Sequence, residues 1–133
     1  MAGYTKRSLV DKLGLKEGHR AAILGAPHGY PATLGDLRVK MRTDLRGESD
    51  FIQFFGKTRV ELDRKFPALK ACLVHNGMLW ISWPKGSSGV ATDLTEKVVR
   101  EVGLRNGLVD VKVCAVDEIW SGLKFVYRLK DRK

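Results

Sequence analysis

Apolar positions along this chain fall into short blocks with two different periods. Residues 20–24 (Arg-Ala-Ala-Ile-Leu), 50–55 (Asp-Phe-Ile-Gln-Phe-Phe) and 78–82 (Met-Leu-Trp-Ile-Ser) are nearly continuous apolar runs. Runs of this length suit strands covered on both faces, as in a parallel sheet. Residues 37–43 alternate instead: Val39 and Met41 point one way, and Arg38, Lys40 and Arg42 point the other. That predicts a strand with one wet face, whose charges discourage edge-to-edge pairing. Two stretches carry helical spacing. Leu62, Phe66, Leu69 and Leu73 follow a capping box at Thr58 and Glu61, in which the hydroxyl accepts from the helix start and the carboxylate reaches back. Leu94, Val98, Val99 and Val102 follow a similar pair at Asp93 and Glu96, and Gly103 suits the helix end. Pro67 predicts a kink or a restart, because a proline inside a helix removes one hydrogen bond and crowds the preceding turn. A short amphipathic helix is expected over 4–13, with Leu9, Val10 and Leu13 on one face, and Pro31 is placed to open another. His75-Asn76-Gly77 reads as a turn. Strands are expected at 108–115 and 123–129; the gap between them is too short for a helical crossover, so they pair as an antiparallel hairpin.

Strand, helix, strand, helix, strand in succession predicts an α/β fold. The expected architecture is a single three-layer Rossmann-like domain over residues 1–133. Its sheet is mostly parallel with a C-terminal antiparallel hairpin, and residues 1–18 form a helical extension. A chain of 133 residues buries about two thirds of its unfolded surface, enough for one core without a disulfide or metal staple.

Charge adds a second possibility. The net charge is +9, which invites a nucleic-acid reading through Arg38, Lys40 and Arg42 and the basic tail at 128–133. The cations are dispersed along the whole sequence, which suits a basic surface equally well. Cys72 and Cys114 lie in apolar runs and read as buried free thiols. No Cys/His spacing suggests a metal site, no apolar leader opens the chain, and no run approaches the roughly 20 apolar residues of a membrane span. The expected location is the cytoplasm.

In open α/β sheets, ligands lie beyond the carboxyl ends of the strands, where strand order reverses. With the first strand beside 50–55, and that strand beside 78–82, three loops meet there. They offer Gly25, His28 and Gly29; Lys57 and Thr58; and Trp83, Lys85, Ser87 and Ser88. The last loop, Trp-Pro-Lys-Gly-Ser-Ser-Gly, joins a strand to a helix. Its helix start offers free N–H groups to an anion. Gly86 and Gly89 equally well permit a simple turn, and no Gly-Lys-Ser/Thr ending of a phosphate loop follows. His28 is the one histidine near these loops and the candidate proton carrier. Trp80 belongs to the core, while Trp83 is placed either to pack or to stack on a planar ligand. Asp117, Glu118 and Trp120 fall in the hairpin loop.

Residues 58–129 resemble the second half of a class I methyltransferase fold, on the run His75-Asn76-Gly77-Met78-Leu79-Trp80-Ile81-Ser82 and the closing hairpin. The whole chain resembles a family of small bacterial proteins of unknown function with a truncated form of that fold. The stretches that carry this likeness are 77–82, 83–95, 110–117 and 120–124. The methyltransferase resemblance implies an S-adenosylmethionine (SAM) site at the first strand: an acidic residue, then three glycines at alternating positions. Here the acidic place holds Ile23, the glycine places hold Gly25, Pro27 and Gly29, and Asp44 stands near the usual place of the ribose-binding acid. Isoleucine cannot engage the cofactor's polar groups, and the proline ring obstructs backbone approach and has no N–H. A central βα unit is also missing. The expectation is therefore a binding module without a cofactor, for a small anionic or nucleotide-like ligand or a protein partner. The alternatives are a nucleic-acid-binding accessory protein and a SAM-dependent methyltransferase.

Overall fold

A computed structural model describes residues 8–30, 34 and 39–132. Arg38, the helix expected from Pro31 and the first part of the 4–13 helix lie outside the described residues. The chain runs α1 (Leu9–Leu13), β1 (Arg20–Leu24), β2 (Lys40–Arg42), β3 (Ser49–Phe55), α2 (Arg59–Ala71), β4 (Leu73–Pro84), α3 (Glu96–Arg105), β5 (Leu108–Ala115) and β6 (Trp120–Tyr127). The six strands form one sheet in the order β2-β1-β3-β4-β6-β5. β2, β1, β3 and β4 are parallel; β6 pairs antiparallel with both β4 and β5. This is the expected mostly parallel α/β sheet with its closing hairpin.

The covered strands are apolar on both faces because two separate cores flank the sheet. On one face Leu62, Phe66 and Leu69 of α2 and Val99 and Val102 of α3 meet Ile52, Phe54, Leu79, Ile81 and Phe125. On the other, Leu13 of α1, Leu15, Tyr30 and Leu34 meet Phe51, Phe55, Trp80 and Trp120. Full burial of a leucine or phenylalanine contributes about 1.5–3 kcal/mol. Trp80 is fully buried, as expected, and its indole N–H donates to the Leu13 carbonyl at 2.8 Å, which ties α1 to the sheet.

Several expectations need correction. Pro67 stays inside α2, which neither ends nor restarts there; its ring is on the exposed side, where water can satisfy the carbonyl it leaves unpaired. The His75-Asn76-Gly77 signal is a bulge within β4. Between the pairs Ser49↔Leu73 and Phe51↔Met78, β3 advances two residues while β4 advances five. α3 begins at Glu96 with Thr95 as its cap, its hydroxyl accepting from the Val98 amide at 3.2 Å. Asp93, expected to cap α3, instead accepts from the Arg59 amide at the start of α2, 2.7 Å away. Gly103 does not end α3. It lies within the helix against the Phe125 ring, where an added Cβ would come within 2.0 Å. β6 starts at Trp120, three residues before the expected 123. Both cysteines are free but only half-buried. No helix among the described residues is long and apolar enough to cross a membrane.

Candidate functional site

β2 and β3 lie on opposite sides of β1, so strand order reverses at the carboxyl end of β1. The chain there is Gly25-Ala26-Pro27-His28-Gly29-Tyr30. Gly25 and Gly29 have φ of +70° and +82°, conformations that a side chain resists. At Gly25 the requirement is doubled, because an added Cβ would stand 2.7 Å from the Phe55 carbonyl oxygen. Glycine thus lets the loop turn tightly over the end of β3.

Two hollows open beside this loop. The first, of about 360 Å³, lies between the ends of β1 and β2 and is lined by Ile23, residues 25–29, Met41, Arg42 and Thr43. Its wall is apolar apart from His28, Thr43 and Arg42, and no carboxylate lines it among the described residues. Asp44 is engaged elsewhere, in an exposed ion pair with Arg46 at 2.8 Å. Arg42 donates to the Arg46 carbonyl, which fixes its course past the hollow. The second hollow, also about 360 Å³, sits over the reversal point. Gly25, Pro27, Phe55, Gly56, Lys57, Glu61 and Trp120 line it. Phe55 stands edge-on to both Tyr30 and Trp120, with ring centroids 4.8 and 5.0 Å apart.

A buried polar chain lies beneath the loop. The Tyr30 hydroxyl donates to Gln53 Oε1 at 2.7 Å, and Gln53 Nε2 donates to Ser82 Oγ at 3.1 Å. Burial pushes the Tyr30 phenol well above its ordinary range, so it remains a donor. The chain pins the last residue of the glycine loop to β3 and β4. The sequence reading missed it, although Gln53 and Ser82 are polar residues set in otherwise apolar strand runs. Trp120 was missed as a wall because β6 begins earlier than its pattern suggested.

The sequence-derived candidates separate accordingly. Gly25, His28 and Gly29 line the first hollow, and Lys57 lines the second. Thr58 is the cap of α2: its Oγ1 accepts from the Glu61 amide at 3.2 Å, while Glu61 reaches back to the Lys57 amide. Trp83 is 5% exposed, in the core under α2 and α3. Lys85, Ser87 and Ser88 line neither hollow. β4 overruns its parallel partner and pairs with β6 as far as Pro84↔Trp120, and the Lys85 amide then donates to the Ile119 carbonyl at 2.7 Å. This carries the 85–88 loop toward the hairpin. Ser88 Oγ donates to the Lys85 carbonyl and accepts from the Val90 amide, which closes the turn internally. The helix expected after Ser88 is replaced by a segment that docks on α2, where the Thr92 hydroxyl donates to the Lys57 carbonyl. The free helix start expected to serve that loop is therefore absent. Lys40 and Arg42 are both exposed on β2.

The sheet order, the two flanking layers and the glycine loop at the reversal point define a Rossmann-like domain of the methyltransferase type. The fold is that of magnesium protoporphyrin IX methyltransferase from Synechocystis PCC 6803, solved with bound SAM (TM-score 0.64, 13% identity, 90% of this chain and 74% of that one). It is equally that of a SAM-dependent methyltransferase from Aquifex aeolicus (TM-score 0.66, 15% identity, 88% and 86%). A TehB-like SAM-dependent methyltransferase from Corynebacterium glutamicum ATCC 13032 shares it too (TM-score 0.59, 16% identity, 90% and 85%). No protein-family model and no curated sequence matches this chain.

Proposed function

We propose that this domain binds a small nucleotide-like ligand in the hollow between the ends of β1 and β2. The observation that carries this reading is the composition of that hollow. A glycine loop with two left-handed glycines borders an apolar slot, and Arg42 stands at the end of β2, with no carboxylate among the described residues that line the slot. In Rossmann-like sites a carboxylate near the end of the second strand holds the ribose 2′-hydroxyl, and an arginine there accommodates a phosphate carried on that hydroxyl. Arg42 thus favours an anionic ligand over a cationic sulfonium. His28 borders the same hollow as a second polar group.

A second reading is SAM-dependent methyl transfer. It is favoured by a fold likeness to methyltransferases that spans about nine tenths of the chain, one of them solved with bound SAM. In that reading the second hollow, with Lys57, Glu61 and Trp120, receives the methyl acceptor. Ile23 and Pro27 weigh against it.

Isothermal titration of the full chain with adenosine 2′,5′-bisphosphate, S-adenosylhomocysteine and SAM separates the two. The binding reading expects adenosine 2′,5′-bisphosphate to bind tightest, and Arg42→Gln to weaken it by about tenfold or more, the loss of one charge-assisted hydrogen bond. Tightest binding of SAM, unaffected by Arg42→Gln, establishes the second reading instead. No heat from any of the three at millimolar concentration rejects both.

A further inference from the structure

The sheet face that carries α1 holds a group of cations with no role in either hollow. Lys112 and Lys124 are direct cross-strand partners in β5 and β6. Side chains so placed have Cβ atoms about 4.5–5.5 Å apart, and like charges there repel. Both reach the same turn at the end of α1. The Lys112 ammonium donates to the Lys12 carbonyl at 3.0 Å, and Lys124 Nζ lies 3.8 Å from where a Cβ on Gly14 would stand. Lys12 and Lys16 flank that turn.

No carboxylate among the described residues is within ion-pair distance of these lysines. Lys124 is half-buried, and its ammonium is held below its ordinary range by burial and by repulsion from Lys112 and Lys16. An arrangement of clustered, partly desolvated like charges is costly when empty, and a multivalent anion relieves it. Ammonium groups suit phosphate oxygens as point charges. The aromatic ring below, Trp80, is fully buried, so it offers nucleic-acid bases no stacking platform.

We propose that Lys12, Lys16, Lys112 and Lys124 form a binding site for a compact oligophosphate, a short chain of linked phosphate groups. The site is separate from the hollows at the strand ends and does not depend on what they bind.

Titration of the full chain with inorganic tripolyphosphate at physiological ionic strength tests this. Binding is expected, weakened about tenfold or more in Lys124→Gln and in Lys112→Gln, retained in Lys124→Arg and unchanged in Lys40→Gln. Adenosine triphosphate bound with the same dependence on Lys124, but more tightly, identifies a nucleotide as the carrier of the phosphates; equal affinity identifies the phosphate chain alone. A second readout guards against misfolding. Lys124→Gln, which removes one of two opposed like charges, should raise the melting temperature of the ligand-free protein by about 1–4 °C, whereas a purely structural lysine lowers it when replaced. Absence of tripolyphosphate binding, binding indifferent to both glutamine variants, or tighter binding of an oligonucleotide overturns the proposal.

Discussion

Gly103 and Gly86 differ in what an added methyl group would touch. At Gly103 it meets the Phe125 ring within 2.0 Å; at Gly86 it meets nothing within 4 Å. Gly103→Ala is therefore expected to lower stability by about 1–3 kcal/mol through overpacking, and Gly86→Ala to leave it within about 0.5 kcal/mol, as read from urea midpoints. Gly25→Ala combines a left-handed backbone with a carbonyl oxygen that cannot swing aside. It should cost about 1–3 kcal/mol and deform both hollows, so ligand titration should fail while the far-ultraviolet spectrum stays native. Gln53→Leu removes both the buried acceptor of the Tyr30 hydroxyl and the donor to Ser82 Oγ and should cost about 1–3 kcal/mol. Gly25 and Gly29 were legible in the sequence because their spacing around a strand end has a known backbone use. Gly103 was not. Its contact is with a strand some twenty residues later, and a glycine near the end of a helical pattern looks like a cap from sequence alone.

At the scale of elements, the apolar periodicity located each strand and both long helices among the described residues, since burial on one or two faces writes itself into every second or every third and fourth residue. The ends were less legible, because they are set by partners distant in sequence. Asp93 illustrates this: it reads as a local cap for α3 but serves α2, across 34 residues. Asp93→Ala should accordingly destabilise by about 1 kcal/mol, the usual worth of a cap, with hydrogen-exchange protection lost first at the start of α2. A second tie joins β1 to β3, where Asp50 accepts from the Arg20 amide at 2.8 Å and from its guanidinium at 3.0 Å. The hydrogen bonds from Arg20 hold the Asp50 carboxyl below its ordinary range. A carboxyl with a lowered folded-state pKa adds stability above its unfolded value of about 3.9, and that stability is lost as pH falls through the folded value. The stability difference between the wild type and Asp50→Asn should therefore be full at neutral pH and shrink below about pH 4. A constant difference across that range would remove the ion pair from the account.

Across the whole molecule, the order β2-β1-β3-β4-β6-β5 determines where chemistry can sit. It joins the loops after β1, β2 and β3 around two hollows and sends the loop after β4 toward the hairpin. With β1 placed beside β3, the sequence indicated that the loops after these two strands meet; it did not indicate that Met41, Arg42 and Thr43 at the end of β2 wall the first hollow. Nor did it indicate the departure of the 85–88 loop, which depends on β4 running past β3 to pair with β6. The central claim is that the ligand lies between the ends of β1 and β2. Amide chemical-shift mapping of the isotopically labelled protein during titration with adenosine 2′,5′-bisphosphate tests it most directly. The account predicts that the largest shifts fall at Gly25, Gly29 and Thr43, with Gly86 and Ser87 unmoved; shifts confined to residues 85–89, or none at millimolar ligand, would contradict it.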